Sequence, residues 1–474
     1  MAPAPPATQD KQTSGAGPSG GAGRIDAPHS AGRRVGVIDT VRGFALLGIL
    51  VPNMWIFAWP SGVAMDPGRM GEAVELVNER TGAGLTANET ANAWAGHLTS
   101  TLFVGKFMFL FATLFGAGVV LFSRRYDEPE DGAASPAAVK ASRRLGATRW
   151  HMRCGWLLLF GLIHGFLLWF GDILTFYAAA GLVAAWWLRR LRPRTQLVLA
   201  GALHAVGTLG WLGVTGLAAI GIERGSVTPE EVLGVLGPEL DAYGGGSIGA
   251  MLLHRLMGFG FYLLVMPFTF FWQVLGLMLL GMGLTRSGVL TGERSPRYYA
   301  VMAGVGLPVG LAITAGLYAA VGVPGFELAP LLWLSIAQFV GAPLALGYLG
   351  AVILVVKLGL ATPATDALAS VGRMALSNYL LQTLLCTTLF YGHAGGLYAR
   401  VQFPALAGVI AAVWAINIGF TVLWMRWFRF GPAEWLWRSL TYLRPQPIRR
   451  TGPIPAAASR PASGPPAAGG HRSL

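Results

Sequence analysis

The residues able to do chemistry in this chain are few, and most lie inside long apolar stretches. Asp39 and Arg42 are three apart, so on a helix they share a face, as an internal ion pair or as the floor of a cavity. Asn53 follows Arg42 by eleven residues. At 100° per residue it returns to within about 20° of that face, roughly 16 Å further along. His97 and Lys106 belong to a second stretch. His97 at a helix start suits a cap or a solvated residue more often than a catalyst, and Lys106 lies deep unless its ammonium reaches an interface. The run Gly161-Leu-Ile-His164-Gly165 and the following Trp169-Phe-Gly171-Asp172 make a hairpin with a histidine and a carboxylate near its tip. Asp172 is placed to cap the next helix, and paired with His164 it has the makeup of a general base. Arg373, Asn378 and Gln382 share a further segment, with the last two at i, i+4, suited to interhelical hydrogen bonds or a cavity wall. Cys154 and Cys386 have no CxxC or metal spacing, so neither a disulfide framework nor a metal site is expected.

The elements that hold these residues follow from composition. Of 474 residues, 54% are hydrophobic and 12% charged, against about 25% charged in an average soluble domain. That leaves too little charge for the shell of a cytosolic globular enzyme. Uncharged stretches long enough to span a bilayer recur along the chain, without the period-2 alternation of a barrel. The expected fold is an all-α polytopic membrane protein of about ten transmembrane helices. They lie near 36–58, 98–122, 151–170, 173–189, 196–220, 258–284, 299–320, 331–356, 374–391 and 404–425. No pair of interrupted helices of the transporter type is evident.

The net charge of +13 fits this fold. With both termini cytoplasmic, 28 of the 35 Lys and Arg fall in inner segments and five outside, a positive-inside pattern. The basic excess therefore faces anionic lipid, and no nucleic-acid partner is expected. The inner (cytoplasmic) cell membrane is the expected location. The domain reading is a disordered tail over 1–34, a transmembrane domain over 35–425, an amphipathic interfacial helix over 426–444 and a second disordered tail over 445–474. Long outer loops are expected at 60–96 and 222–257, and a linker at 127–142. Oligomeric state is not readable.

The segments IDTVRGFALLGILVPN (38–53), VGKFMFLFATLFGAG (104–118), GLIHGFLLWFGDILTFYAAAG (161–181), VGRMALSNYLLQTLLCTTLFY (371–391) and RFGPAEWLWRSLTY (429–442) resemble the YeiB-like bacterial membrane proteins, grouped as domain of unknown function 418. The opening helix, Asp-x-x-Arg-Gly followed ten residues after the Gly by Asn, is also similar to transmembrane acyltransferases of the heparan-glucosaminide N-acetyltransferase type. That similarity implies transfer of an acyl group from cytosolic acyl-CoA to a small-molecule or cell-envelope acceptor across the membrane. It matches Asn53 to the pattern's Asn and implies a catalytic His soon after it. Residues 54–65 hold no His, so His97 is the counterpart in that loop and His164 with Asp172 competes as the base. Under this reading Asp39, Arg42, Lys106, Arg373, Asn378 and Gln382 line the acyl-CoA path. The alternative is a small-metabolite transporter or exporter without covalent chemistry.

Overall fold

The computed structural model describes residues 33–127, 135–321 and 329–450. Residues 1–32 and 451–474 of the expected tails, and 128–134 of the expected linker, lie outside the described residues. The described chain is all-α: one isolated bridge joins Phe428 to Arg449 and no ladder forms. Among the described residues seven segments are long and apolar enough to cross a membrane: Gly36–Ala58, Glu89–Asp127, Pro136–Leu168, Pro193–Glu223, Ile248–Phe268, Pro296–Ala320 and Phe403–Trp427. Three apolar helices are shorter: Leu174–Val183, Phe270–Arg286 and Ala342–Leu358.

The first helix, α1 (Arg33–Ala58), is the centre of the bundle. Of its apolar window 72% is buried, against 17% for the segments at Ile248 and Pro296. Those outer helices instead expose Leu253, Leu264, Val301 and Val305, the inverted surface of a protein whose solvent is hydrocarbon. In chain order the bundle continues with α2 (Met70–Thr81), α3 (Glu89–Leu102), α4 (Lys106–Asp127) and α5 (Pro136–Ile163). A π-turn at His164–Leu168 leads from α5 towards α6 (Leu174–Ala180). Then come α7 (Pro193–Glu223), α8 (Leu236–Gly244), α9 (Ile248–Val265), α10 (Phe270–Arg286), α11 (Pro296–Val321), α12 (Ala329–Val340) and α13 (Ala342–Leu358). The described residues finish with α14 (Thr362–Arg373), α15 (Ala375–Phe390), α16 (Phe403–Trp427) and α17 (Pro432–Tyr442).

Helices can approach this closely because the crossings carry glycine. A Cβ on Gly43 of α1 would stand 1.9 Å from Leu368 O of α14, and one on Gly372 would stand 1.9 Å from Asp39 O. The two glycines thus let α1 and α14 touch backbone to backbone, as small residues do in membrane bundles.

Several expected elements are drawn differently. The helix expected at 98–122 is two, parted at residues 103–105 where Gly105 adopts φ +82°, a conformation that a helix cannot carry through. The helix expected at 258–284 is α9 and α10, broken by the short turn Met266–Phe268. Pro267 removes a backbone donor there, and Thr269 Oγ1 donates to Val265 O at 3.0 Å in its place. Gly207 and Gly210, midway along α7, lie against Thr269 and Phe268, so this break is at mid-bundle depth. The helix expected at 331–356 divides at Gly341, two residues before Pro343. Interrupted helices are therefore present where the sequence pattern showed none. The segments read as outer loops also carry helix: Ser61–Met65, α2 and the start of α3 in one, Pro229–Leu233, α8 and the start of α9 in the other. Helix α5 begins at Pro136 inside the expected linker, its first turn capped by Ser135 Oγ accepting from Ala138 N.

Candidate functional site

The hairpin of α5 and α6 holds the most developed polar constellation. The π-turn swings His164 inward, and Asp172 opens the next helix by accepting from Thr175 N at 2.8 Å through Oδ2. The other carboxylate oxygen, Oδ1, stands 3.0 Å from His164 Nδ1. That contact is close enough for charge pairing but angled off the line of a hydrogen bond. On its far side His164 Nε2 meets Thr383 Oγ1 of α15 at 2.9 Å. His164 is 1% and Asp172 2% exposed, so both are shielded from solvent. Tyr379 lies one helical turn before Thr383, with its ring centre 4.9 Å from that of His164. The amide Nε2 of Gln382 and the indole Nε1 of Trp169 are buried without hydrogen-bond partners, and the Tyr379 hydroxyl, facing the backbone of Ile173, has no acceptor for its own proton. A hydroxyl, an imidazole and a carboxylate in sequence, ringed by unpaired donors, is the layout of a base with an orienting acid.

Asn53 is half-buried and makes no side-chain hydrogen bond among the described residues. It stands one turn before Phe57, whose ring stacks on Trp169 at 4.1 Å, so α1 turns Asn53 towards the same hairpin. At the opposite end of α1, Arg42 Nη1 donates to Asp39 Oδ1 at 2.8 Å and to Gly372 O at 3.4 Å. Arg153 of α5 and Arg438 of α17 lie close enough to Arg42, and to each other, to repel. Burial, only partly offset by Tyr442 and Glu434, makes the Arg438 guanidinium easier to deprotonate than usual. Arg153 lies 3.6 Å above the Trp437 ring, and Trp437 Nε1 donates to Arg153 O at 2.7 Å. Helix α17 is thus docked on α5. Its Glu434 is buried and accepts from Leu376 N and Ser377 N at the start of α15. Burial raises the Glu434 carboxyl, and those hydrogen bonds oppose the rise.

Of the remaining candidates, Arg373 lies near enough to Asp39 for their charges to attract, and the others fall elsewhere. Arg373 is exposed at the end of α14 and donates to Ser370 Oγ at 2.9 Å. Asn378 spends its amide on α16, donating to Thr421 Oγ1 at 2.8 Å and accepting from Asn417 Nδ2 at 3.1 Å. Lys106 is fully buried where the α3–α4 and α12–α13 breaks meet, beside Gly341, and donates from Nζ to Ser100 O at 2.8 Å. Its ammonium lies 5.6 Å from the Trp333 ring. Trp333 packs on Tyr318, and Tyr318 on His97, at 5.2 and 5.0 Å. His97 and Lys106 therefore share one aromatic cluster, and His164 sits in another. Sequence reasoning missed Thr383, Tyr379, Arg153 and Arg438. The two arginines read as topology charges, and a Thr on an apolar helix carries no signal until a partner faces it.

The family described as "Protein of unknown function (DUF418)" matches residues 284–444. The "Uncharacterized protein YeiB" of Escherichia coli (strain K12) is 33% identical over 441 residues, 89% of this chain and 98% of that protein. The chain belongs to the YeiB-like DUF418 family. The "Uncharacterized protein YxaH" of Bacillus subtilis (strain 168) is 31% identical over 439 residues, again 89% of this chain and 98% of that one. No solved structure matches. The DUF418 match takes in Tyr379, Gln382, Thr383 and Arg438, whereas Asp39, Arg42, His164 and Asp172 precede it. In this YeiB-like chain the site is assembled from both sides of that boundary.

Proposed function

We propose that this YeiB-like protein crosses the cytoplasmic membrane ten times with both ends inside, and transfers an acyl group from cytosolic acyl-CoA to a small-molecule or cell-envelope acceptor at the outer face. The ten crossings are α1, α3–α4, α5, α6, α7, α9–α10, α11, α12–α13, α15 and α16, each interrupted helix counting once. The observation that carries the chemistry is the Thr383–His164–Asp172 sequence of contacts. Thr383 Oγ1 marks a point 2.9 Å from His164 Nε2, where an acceptor hydroxyl or amine would give up its proton. The acceptor then attacks the thioester carbonyl. The donors of Gln382, Tyr379 and Asn53 meet the oxyanion that develops. Collapse of the tetrahedral species breaks the C–S bond, and His164 returns the proton to the departing thiolate. Asp172 holds the imidazole and favours its charged form. On the inner side, Arg42, Arg153 and Arg438 supply guanidiniums to the nucleotide phosphates, for which their planar donors are suited.

The test uses protein purified in detergent or nanodiscs. Acyl-CoA should raise its melting temperature, and thiol release in the presence of membrane extract should need His164. Absence of binding by any acyl-CoA overturns the reading. Small-metabolite export without covalent chemistry is the second reading, and the breaks at residues 103–105, 266–269 and 341 favour it, since interrupted helices line substrate sites in transporters. It predicts flux in proteoliposomes with no acylated product.

A further inference from the structure

Beyond the dyad, at the end of the bundle where α1 finishes, lies a second buried polar group. Arg255 of α9 is 3% exposed. Its Nη1 donates to Leu167 O, in the π-turn that carries His164. The guanidinium carbon lies 5.3 Å from the ring centre of Tyr391 and 5.9 Å from that of Tyr243. Those two rings stack at 4.7 Å, and Tyr398 closes the box at 5.5 Å from Tyr243 and 5.9 Å from Tyr391.

The chemistry of the box is one-sided. The hydroxyls of Tyr243 and Tyr391 face the guanidinium and accept from it, but neither passes its own proton to an acceptor, and Arg255 Nε is buried without one. No carboxylate pairs with the guanidinium among the described residues. Glu239, the acidic group of this region, accepts from Ser61 N at 2.9 Å and Ser61 Oγ at 2.8 Å, and from Tyr398 at 3.4 Å. Three donors and a fixed positive charge are thus left without an acceptor, an arrangement that is costly to bury unless a partner supplies one. Exposed residues 244–247 follow directly on Tyr243, and offer a way in from solvent.

We infer that this box binds the carboxylate of a ligand arriving from that end of the bundle. One carboxylate oxygen takes Arg255 Nε–H and the other takes the two phenol hydroxyls. A single cation with three donors matches a monoanion better than it matches a phosphate dianion. The site rests on its own geometry and not on acyl transfer. If both hold, the carboxylate belongs to the acceptor.

The test is thermal stability of the detergent-purified full chain titrated with sodium acetate against sodium chloride at equal ionic strength, with no acyl-CoA present. Acetate should raise the melting temperature saturably. In the Tyr243→Phe/Tyr391→Phe double variant, which loses only two oxygen atoms, the apparent Kd should rise about tenfold or more. Arg255→Lys serves as a second variant and should lose the response while remaining monodisperse. An acetate response no larger than that to chloride, or an unchanged one in the double Phe variant, overturns the site. A stronger response to inorganic phosphate than to acetate overturns the carboxylate assignment. Loss of acyl-CoA binding bears on none of these outcomes.

Discussion

Asp172 serves His164 with one carboxylate oxygen and the first turn of α6 with the other. The acid that would orient the base is therefore also the cap that starts its own helix. Asp172→Asn keeps an oxygen for Thr175 N but removes the charge beside the imidazole. We expect it to lower thiol release from acyl-CoA by about 10²-fold or more, with folding little changed. His164→Ala should be at least as severe. Thr383→Val, of equal volume, should keep activity if Thr383 only marks the acceptor position, and the initial rate of thiol release checks each variant.

Gly372→Ala should fail to assemble. Its Cβ would stand 1.9 Å from Asp39 O, with backbone and not a flexible side chain in the way. Overpacking of this kind costs about 1–3 kcal/mol or more. Gly36→Ala, whose Cβ meets nothing within 4 Å, is the control that should melt like the parent. Gel filtration and thermal unfolding separate the two.

The cluster around Glu239 should weaken as pH rises. Burial pushes the Glu239 carboxyl up to about 7 from 4.5, against the opposing hydrogen bonds of Ser61 and Tyr398. A raised folded-state value means the folded protein binds the proton more tightly than the unfolded chain. The stability this contributes is whole below pH 4.5 and is lost as pH climbs through about 7. It is worth on the order of 3 kcal/mol across that window. Glu239→Gln should flatten the fall in melting temperature between about pH 5 and pH 8.

The arginines around Arg42 should set donor affinity. Arg153→Gln with Arg438→Gln should raise the Kd for acyl-CoA about tenfold and reduce its salt dependence. Arg373→Gln, at an exposed side chain held by Ser370, should have the smaller effect. Equilibrium binding of labelled acyl-CoA at two salt concentrations checks both.

The hydropathy of the chain shows where apolar helices run, because burial in lipid demands a continuous apolar record. It does not show the breaks. Gly105, Pro267 and Gly341 are single residues in runs that remain apolar, so composition averages over them. The hairpin dyad was legible because Gly161, Gly165 and Asp172 mark a tight turn within a dozen residues. Its third member was not, since Thr383 lies 219 residues beyond His164 and only packing brings them together. Arg42 with Asp39 was legible from spacing alone. Arg153 and Arg438 were hidden among the basic residues that read as topology charges.

Glu434 has a consequence for how the protein is made. It accepts from backbone N–H groups of α15 that precede it by 58 and 57 residues, and membrane chains emerge from the ribosome N-terminus first. Helix α15, with Tyr379, Gln382 and Thr383, therefore inserts before its own cap has been synthesised. A chain stopped short of residue 434 would carry all its apolar segments and still lack the group that closes α15. Until residue 434 has been made, the first turn of α15 keeps two unpaired N–H groups at the arginine-rich end of the bundle.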